Sequence, residues 1–508
     1  MAVLIRGVVV DPVSDEGQPA ANGEIVDVRI VGERIDEIGP RIAQRPGDET
    51  VDGRGGPILP GLHDHHVHLW AWAAAAGSVD VGPPAVNSLD GLARRLRAAP
   101  GAPGTWIRAI GYHESVAGHL DRAALDRLVP DRPARIQHRS GALWILNSRA
   151  LETLGLDPPP AGASTPLELD AAGRSTGRLW RADAWLRKRL AALGCAPPPD
   201  LGAISRRAAS FGVTGLTDAT PDQDHASLDA LIDARTSGVI LQRLHLMVGP
   251  DTLGPRPADG SGASGTTMPR PDPDSPAYPV WPATITSGPV KVVLDDDRLP
   301  TFDELVTRIG RAHSSGSPVA IHCVTRTQAA LAVAAFSEAG AVPGDRMEHG
   351  SVIGVDLIPA LRHLGLIVVT QPGFLHARGD RYLADVASQD VPDLWRLGSL
   401  LDAGIPLALS TDAPFGPDDP WSVIGVAASR RTAAGQRIGP AERIAPRRAF
   451  ALFCGEPERP GRRRVVTCGG PADLVVLAEP LDDSLASGSP TVLATVAAGA
   501  VVHRADPG

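Results

Sequence analysis

The sequence predicts an α/β fold: a TIM (β/α)8 barrel with a small β-sandwich domain formed by both chain ends and an inserted cap. The chain has 508 residues, of which 43% are apolar, enough for one large domain and a smaller one. Both ends contain short alternating segments. Between them, short apolar runs alternate with amphipathic helical stretches, which is the pattern of repeated βα units and a parallel sheet.

The two chain ends read as short antiparallel strands. Near the start, LIRGVVV and EIVDVRIVGERIDEIGP alternate polar and apolar residues around Gly turns, and PADLVVLAEP and TVLATVAAGAVVH repeat the pattern near the end. We therefore expect residues 1–58 and 460–508 to pair into one β-sandwich. Residues 59–459 then form the barrel domain.

Eight candidate strands follow one another in the middle of the chain: ILPGLHDHHVHL, GVTGLTDA, LQRLHLMVG, PVKVVLD, PVAIHCVT, DRMEHGSV, LIVVTQP and IPLALSTDA. A barrel of eight βα units carries its active site at the C-terminal ends of its strands. Two stretches interrupt the repeat. Residues from about 70 to 200, rich in Trp, Arg and Pro, are interpreted as a cap, and residues from about 250 to 289, dense in Pro, Gly, Ser and Asp, as a flexible loop.

Composition narrows the class of partner. The formal net charge is -9 and no dense Lys/Arg run is present, which argues against nucleic acid as a binding partner. No stretch of about 18 uncharged apolar residues is present, so we expect no membrane span. The four cysteines have no CxxC spacing, which favours a reduced, cytoplasmic compartment. The expected partner is a small-molecule substrate. A homodimer, in which the chain binds a second copy of itself, is a further expectation.

Polar residues gather at the ends of particular candidate strands. His66 and His68 close the first strand, His322 lies in the fifth, His349 in the sixth, and Asp412 ends the eighth. A lone histidine at a strand end is usually a packing or surface residue. A barrel, however, brings these ends together, and imidazole nitrogen and carboxylate oxygen are ligands for ions such as Zn²⁺. The set predicts a metal site that keeps one position open for water.

Lysine usage singles out one further residue. Only two of the 49 basic residues are lysines, namely Lys188 in the charged segment WLRKRL and Lys291 in the apolar run GPVKVVL. A neutral Lys291 amine could combine with carbon dioxide, and the resulting carbamate could bridge two metals, which arginine cannot do. The alternative is a lysine that snorkels or pairs with Asp295, Asp296 or Asp297.

These motifs resemble the amidohydrolase superfamily, and within it the group of N-substituted formamide deformylase-like enzymes (amidohydrolase 3 type). The matching segments are PGLHDHHVHL, GPVKVVLDD, AIHCVT, RMEHGSV and STDAPFG, together with PADLVVL and TVAAGAVV near the chain end. The resemblance implies a metal-dependent hydrolase of non-peptide carbon–nitrogen bonds in an amide, formamide or cyclic amide. It also implies divalent metal, two Zn²⁺ per chain.

The resemblance further implies individual roles for the strand-end residues. Asp412 would bind metal and act as the catalytic residue that moves protons. The other implied ligands are His66 and His68 for the more buried ion, His322 and His349 for the second ion, and carboxylated Lys291 as the bridge.

One departure concerns the cap. Many relatives read SGH before the cap's asparagine, whereas this chain has Ser140, Gly141 and Ala142 before Asn147. The expected cap histidine is therefore missing, and the candidates to replace it are His113, His138 and Arg139.

Weaker substrate contacts can also be suggested. Trp144 could line an apolar lid, and Arg139 or Arg326 could hold a substrate carboxylate by two hydrogen bonds. The alternatives are core packing for the tryptophan and ordinary surface charge for the arginines.

Two rival functions use the same scaffold. A mononuclear deaminase or cyclic-amide hydrolase of the superfamily would hold one ion, whereas Lys291 favours two. A non-catalytic binding protein would have lost a ligand, and every ligand position of the motif set is filled here.

Overall fold

The computed structural model describes residues 2–13, 23–83, 85–102, 104–159, 166–195, 199–221, 223–250 and 281–505. The chain divides into two compact units: one combines Met1–Leu69 with Leu201–Gly508, and the other is Trp70–Asp200. None of the helices in these ranges has both the length and the apolar character that a membrane crossing requires.

The strands, numbered in chain order, are β1 (Ala2–Val10), β2 (Ile25–Val31), β3 (Arg34–Gly39), β4 (Glu49–Asp52), β5 (Pro57–Pro60), β6 (Leu62–Val67), β7 (Val79–Asp80), β8 (Ile107–Tyr112), β9 (Ala134–His138), β10 (Leu143–Leu146), β11 (Leu167–Leu169), β12 (Ser175–Trp180), β13 (Val213–Asp218), β14 (Arg243–Val248), β15 (Ile285–Val293), β16 (Val319–Cys323), β17 (Arg346–His349), β18 (Ile367–Thr370), β19 (Leu407–Leu409), β20 (Leu474–Leu477), β21 (Val492–Ala497) and β22 (Ala500–Arg504).

The α-helices are α1 (Leu69–Ala76), α2 (Leu89–Arg97), α3 (Glu114–Ala117), α4 (Arg122–Leu128), α5 (Ser148–Thr153), α6 (Asp183–Ala192), α7 (Leu201–Ser210), α8 (His225–Thr236), α9 (Phe302–Ser314), α10 (Arg326–Ala339), α11 (Ile358–Leu364), α12 (Gly373–Asp385), α13 (Gly398–Asp402), α14 (Pro420–Ser429), α15 (Pro446–Ala451) and α16 (Leu481–Ser487).

The barrel is an eight-stranded parallel sheet in the order β6, β13, β14, β15, β16, β17, β18, β19. Strands such as β6, β13 and β18 are buried along their whole length, as expected where helices cover a parallel sheet. Beyond β19, the Asp412 N–H donates to the His66 carbonyl and the His68 N–H to the Ala413 carbonyl, both over 2.9 Å. These bonds join the last strand segment to the first, and all eight predicted strands are present in the predicted order.

Helix starts in the barrel are specified locally. Thr301 caps α9 and Thr325 caps α10, each in a reciprocal arrangement with Glu304 or Gln328 three residues later. Such capping boxes satisfy two backbone N–H groups that the helix itself leaves unpaired. The sequence therefore specifies where these two helices begin.

Both chain ends build one sheet, in the order β22, β21, β20, β5, β1, β2, β3, with β4 beside β1. The junction of the two ends is the antiparallel pair of β5 and β20, in which Leu59 lies opposite Val475. A single apolar cluster includes Ile35 near one edge of the sheet and Val496 near the other. Strands from both chain ends therefore share one sheet and one apolar core, where the sequence predicted a small sandwich.

The inserted cap, Trp70–Asp200, has its own sheet in the order β11, β12, β10, β9, β8, β7. Strands β7, β8 and β9 are parallel, whereas β9, β10, β12 and β11 pair antiparallel. Two apolar clusters stabilise it, one around Leu92 and Ile136 and the other around Leu151 and Leu179.

The loop predicted at about 250–289 needs a correction at its end. Residues 251–280 lie outside the described residues. Strand β15 already begins at Ile285, because Ile285, Thr286 and Ser287 pair with β14. Because Thr286 and Ser287 are polar, the first part of β15 is not recognisable as an apolar run in the sequence.

Candidate functional site

Strand β6 and the segment after β19 position the first part of the site. Asp64 of β6 accepts hydrogen bonds from the Thr411 N–H over 3.0 Å and from the Thr411 hydroxyl over 2.5 Å. This buried contact fixes Asp412 next to His66 and His68. Burial raises the pKa of Asp64 to about 7, against the hydrogen bonds from Thr411.

Asp412 lies at the centre of three histidines. Its Oδ1 is 3.3 Å from His68 Nε2 and 3.7 Å from His66 Nε2, and its Oδ2 is 3.8 Å from His349 Nδ1. One donor atom each from His66, His68 and Asp412 lie within 4.8 Å of one another. Both Asp412 and His349 adopt left-handed backbone, with φ of 58° and 68°. Such strain persists only where the surroundings impose it, and it is concentrated at functional sites.

Neighbouring strands bring His322, His349 and Lys291 to the same end of the barrel. In the parallel register, Lys291 lies beside Ala320, and Cys323 beside His349. The ring centroids of His322 and His349 are 4.4 Å apart, and those of His66 and His349 are 4.8 Å apart. The structure thus brings together the histidines that the strand ends predicted.

Lys291 is buried, with 2% of its surface exposed. Within the described part of the chain, its Nζ has no hydrogen-bond partner. Burial lowers the pKa of this amine to about 8, while Glu348 opposes the shift and Arg346 adds to it. A neutral amine is therefore within reach near physiological pH.

Burial favours the neutral imidazole form of three site histidines, His66, His322 and His349. Burial lowers the pKa of His66 and of His349 well below the ordinary value, and nearby positive groups act in the same direction. Burial likewise lowers the pKa of His322 to about 3. Neutral imidazole is the form in which histidine binds a metal.

Oxygen partners hold the Nδ1 atoms of three site histidines, as the partners of metal-ligating histidines do. Glu348 Oε2 contacts His66 Nδ1, Thr220 Oγ1 lies 3.3 Å from His68 Nδ1, and Gln371 Oε1 lies 2.8 Å from His349 Nδ1. With Nδ1 as the donor to oxygen, Nε2 is left available as a ligand.

The sequence-based reasoning missed these supporting residues. Glu348 and Gln371 stand beside the predicted strand ends, in RMEHG and TQP. A carboxylate next to a histidine in a buried strand was the available signal for Glu348. The Arg346 Nε, 2.5 Å from Glu348 Oε1, balances its charge.

Two further histidines of strand β6, His63 and His65, are buried. His63 Nε2 lies 2.8 Å from Thr217 Oγ1, and its ring lies against Gly215. His65 is fully buried beside it, with ring centroids 4.6 Å apart.

The cap holds other predicted residues. Trp144 is buried in the cap core, where the guanidinium groups of Arg108 and Arg135 lie 5.4 and 5.2 Å from its ring. The Arg139 N–H donates to the Tyr112 carbonyl over 2.8 Å.

Arg326 begins helix α10 on the barrel. Its guanidinium donates to Asp390 over 2.7 Å and also contacts Asp393. A substrate carboxylate would have to compete with both of these groups.

Comparisons with known proteins identify the family of the chain. A model of the "Amidohydrolase family" matches residues 49–503. The chain is 26% identical to the N-substituted formamide deformylase of Arthrobacter pascens, over 91% of this chain and 93% of that protein.

Solved structures share the fold. An uncharacterized metal-dependent hydrolase from Pyrococcus horikoshii OT3 superposes with a TM-score of 0.71 at 18% identity, covering 95% of this chain and 98% of that one. N-isopropylammelide isopropylaminohydrolase from Burkholderia multivorans superposes with a TM-score of 0.52 at 15% identity, covering 99% and 98%. At such identities the structural likeness concerns the fold alone.

Proposed function

The chain belongs to the amidohydrolase family, and from that premise we propose that it is a metal-dependent hydrolase of carbon–nitrogen bonds other than peptide bonds. The observation that carries the proposal is the cluster of His66, His68 and Asp412, within 4.8 Å of one another at the C-terminal end of the barrel. In barrels of this type that end holds the active site.

The donor atoms fit a cation. His66 Nε2 and Asp412 Oδ1 are buried and have no hydrogen-bond partner among the described residues, and neither has Lys291 Nζ. A buried polar atom left unpaired costs about 1–3 kcal/mol. A divalent ion at this position would satisfy His66 Nε2 and Asp412 Oδ1, and a donor set of imidazole and carboxylate suits Zn²⁺.

We assign two ions to the site. His66 and His68 would hold the more buried ion, His322 and His349 the second, and Asp412 would bind from the end of the eighth strand. Burial without a partner favours the neutral form of Lys291. Its Nζ lone pair would attack the carbon of carbon dioxide: an N–C bond forms, one C–O π bond becomes an oxygen lone pair, and a proton passes to water.

Asp412 would move the proton. When bound, the metal lowers the pKa of water to about 7 and so supplies a nucleophile at neutral pH. The Asp412 carboxylate accepts the proton of the attacking water and donates it to the leaving nitrogen. The backbone bond from Asp412 N–H to the His66 carbonyl and the contact of Thr411 with Asp64 keep this carboxylate in place.

The proposed substrate class rests on the reaction and on one named relative. A small amide, formamide or cyclic amide fits the proposed reaction, and a formamide is supported by the named activity of the Arthrobacter relative. For His113, Arg139 and Trp144 of the cap, a role in substrate binding stays a prediction, and Trp144 is buried in the cap core. Arg326 would be the weakest contact, because Asp390 and Asp393 already bind it.

Two further proposals concern the cellular location of the protein and its oligomeric state. The four cysteines are unpaired, which supports a cytoplasmic location. A homodimer stays a prediction, which light scattering of the purified protein would test.

A His66→Ala variant tests the proposed site. The control is His363→Ala, which removes an exposed histidine of helix α11. Metal content would be measured by elemental analysis and turnover by formate release from a panel of N-substituted formamides and by amine release from amides. We expect His66→Ala to hold less metal per chain than wild type and to lose turnover, and His363→Ala to match wild type in both. An active, metal-free His66→Ala protein would refute the site.

A further inference from the structure

A second set of metal-binding side chains lies within the cap. Strands β8 and β9 are parallel neighbours with Tyr112 opposite His138, so their carboxyl ends meet at one edge. His113 and Glu114 follow β8 directly, and His138 is the last residue of β9. None of these residues belongs to the donor set of the barrel.

The spacing of the donors suits a single ion. Glu114 Oε2 lies 3.6 Å from His113 Nε2 and 3.2 Å from His138 Nε2, and one donor atom of each residue lies within 4.8 Å of the others. In a tetrahedral zinc site with bonds of about 2.1 Å, neighbouring ligand atoms are about 3.4 Å apart. The two distances from Glu114 Oε2, 3.6 and 3.2 Å, lie on either side of that value.

Both histidines are supported at the opposite ring nitrogen by the same local motif, His-x-Ser. Ser115 Oγ lies 2.8 Å from His113 Nδ1, and Ser140 Oγ lies 2.6 Å from His138 Nδ1. An oxygen partner at Nδ1 orients the ring and leaves Nε2 as the ligand, which is the usual arrangement around bound metal.

We propose that His113, Glu114 and His138 form a further, mononuclear site for a divalent transition cation such as Zn²⁺. Two imidazoles and one carboxylate are three of the four ligands that Zn²⁺ takes, so the fourth position would be open to water or to an anionic group of a ligand. The proposal stands on the cap residues alone and does not depend on the function of the barrel.

The alternative for the same atoms is a hydrogen-bonded triad without metal. In that state, the N–H groups of Ser115 and Ser140 donate to the Nδ1 atoms over 3.1 Å, and each Nε2–H faces Glu114. With metal on Nε2, each Nδ1 must instead carry the proton and donate to its serine hydroxyl. The hydroxyls are therefore required by the metal form, whereas the triad needs only backbone N–H groups.

Metal counting on the full-length protein separates the two states. Each protein would be equilibrated with excess Zn²⁺, freed of unbound ions by gel filtration, and assayed by elemental analysis. We expect wild type to retain one more equivalent than His138→Ala and Glu114→Gln. The control His119→Ala, which removes an exposed histidine of the cap, should match wild type.

A titration of Ser140→Ala with Zn²⁺ gives a second measurement on a mild, exposed substitution. Its affinity for the additional equivalent should fall about 10- to 100-fold, as for other lost partners of metal-binding histidines. The proposal is overturned if wild type retains no more metal than His138→Ala, or if Ser140→Ala binds the additional equivalent as tightly as wild type. Because barrel metal is counted in every variant, its absence would contradict the proposed function without affecting the difference between wild type and His138→Ala.

Discussion

At the scale of single residues, the barrel site depends on which ring nitrogen each histidine offers. Glu348 contacts Nδ1 of His66, and Gln371 contacts Nδ1 of His349, so each ring keeps Nε2 for another ligand. The sequence predicted the histidines, because residue type and strand-end position are visible there. It did not predict their partners, since these contacts depend on side-chain directions across neighbouring strands.

Replacing Glu348 by Gln should weaken metal binding about 10- to 100-fold, because the charged acceptor that orients His66 is lost. Metal dissociation constants from chelator competition would measure the effect. Glu338→Gln, on an exposed position of helix α10, is the matched control and should bind metal as wild type does. Unchanged affinity in folded Glu348→Gln would show that the contact does not support the ligand.

Replacing Asp412 by Asn should lower kcat by about 10²- to 10⁴-fold, the usual contribution of a positioned proton carrier. The amide keeps the shape of the side chain but cannot accept and return the proton. Turnover should be measured on protein whose metal content is determined in parallel. Near-normal turnover with metal still bound would exclude the assigned role.

At the scale of elements, the positions of the parallel strands determine which side chains reach the site. The apolar runs predicted all eight barrel strands, since buried strands of a parallel sheet are apolar over most of their length. The left-handed backbone at His349 and Asp412 was not predictable, because the surrounding contacts impose it. Neither was the close approach of Gly215 on β13 to the ring of His63 on β6.

Gly215→Ala should destabilise the protein by about 1–3 kcal/mol, the usual cost of overpacking a buried position. The added Cβ would lie 2.2 Å from His63 Nδ1, so strand or ring must shift. Denaturant unfolding would measure the change. Gly310→Ala in helix α9 is the control: its Cβ meets nothing within 4 Å, and it should stabilise by about 0.5–1 kcal/mol. Equal effects of the two substitutions would contradict this account of the strand contact.

At the scale of the whole molecule, ion pairs join parts of the chain that are far apart in sequence. Arg447 of helix α15 binds Asp11, which follows β1, over 3.1 Å, and Asp482 of helix α16 over 2.5 Å. Arg447 and Asp11 are both buried. Strand patterns predicted that the two chain ends share one sheet, but charged residues gave no indication of this pairing because most charges are at the surface.

Arg447→Ala should cost about 3–5 kcal/mol of unfolding free energy, because Asp11 would stay buried without its cation. The control is Arg459→Ala, which removes an exposed arginine 3.5 Å from Glu456 and should cost at most about 1 kcal/mol. Thermal or denaturant unfolding would compare the two variants. A loss no larger in Arg447→Ala than in Arg459→Ala would show that the buried pair does not join these segments.

The central claim is a metal centre in the barrel that Lys291 bridges, and the metal content per chain tests it most directly. The comparison is best made on the His138→Ala background, in which the cap cluster is broken, with and without Lys291→Ala and with circular dichroism to verify folding. We expect about two ions per chain, falling to one or none when Lys291 is removed. About one ion, unaffected by the substitution, would contradict the bridged pair and favour a mononuclear hydrolase or deaminase, and no ion at all would contradict the metal centre itself.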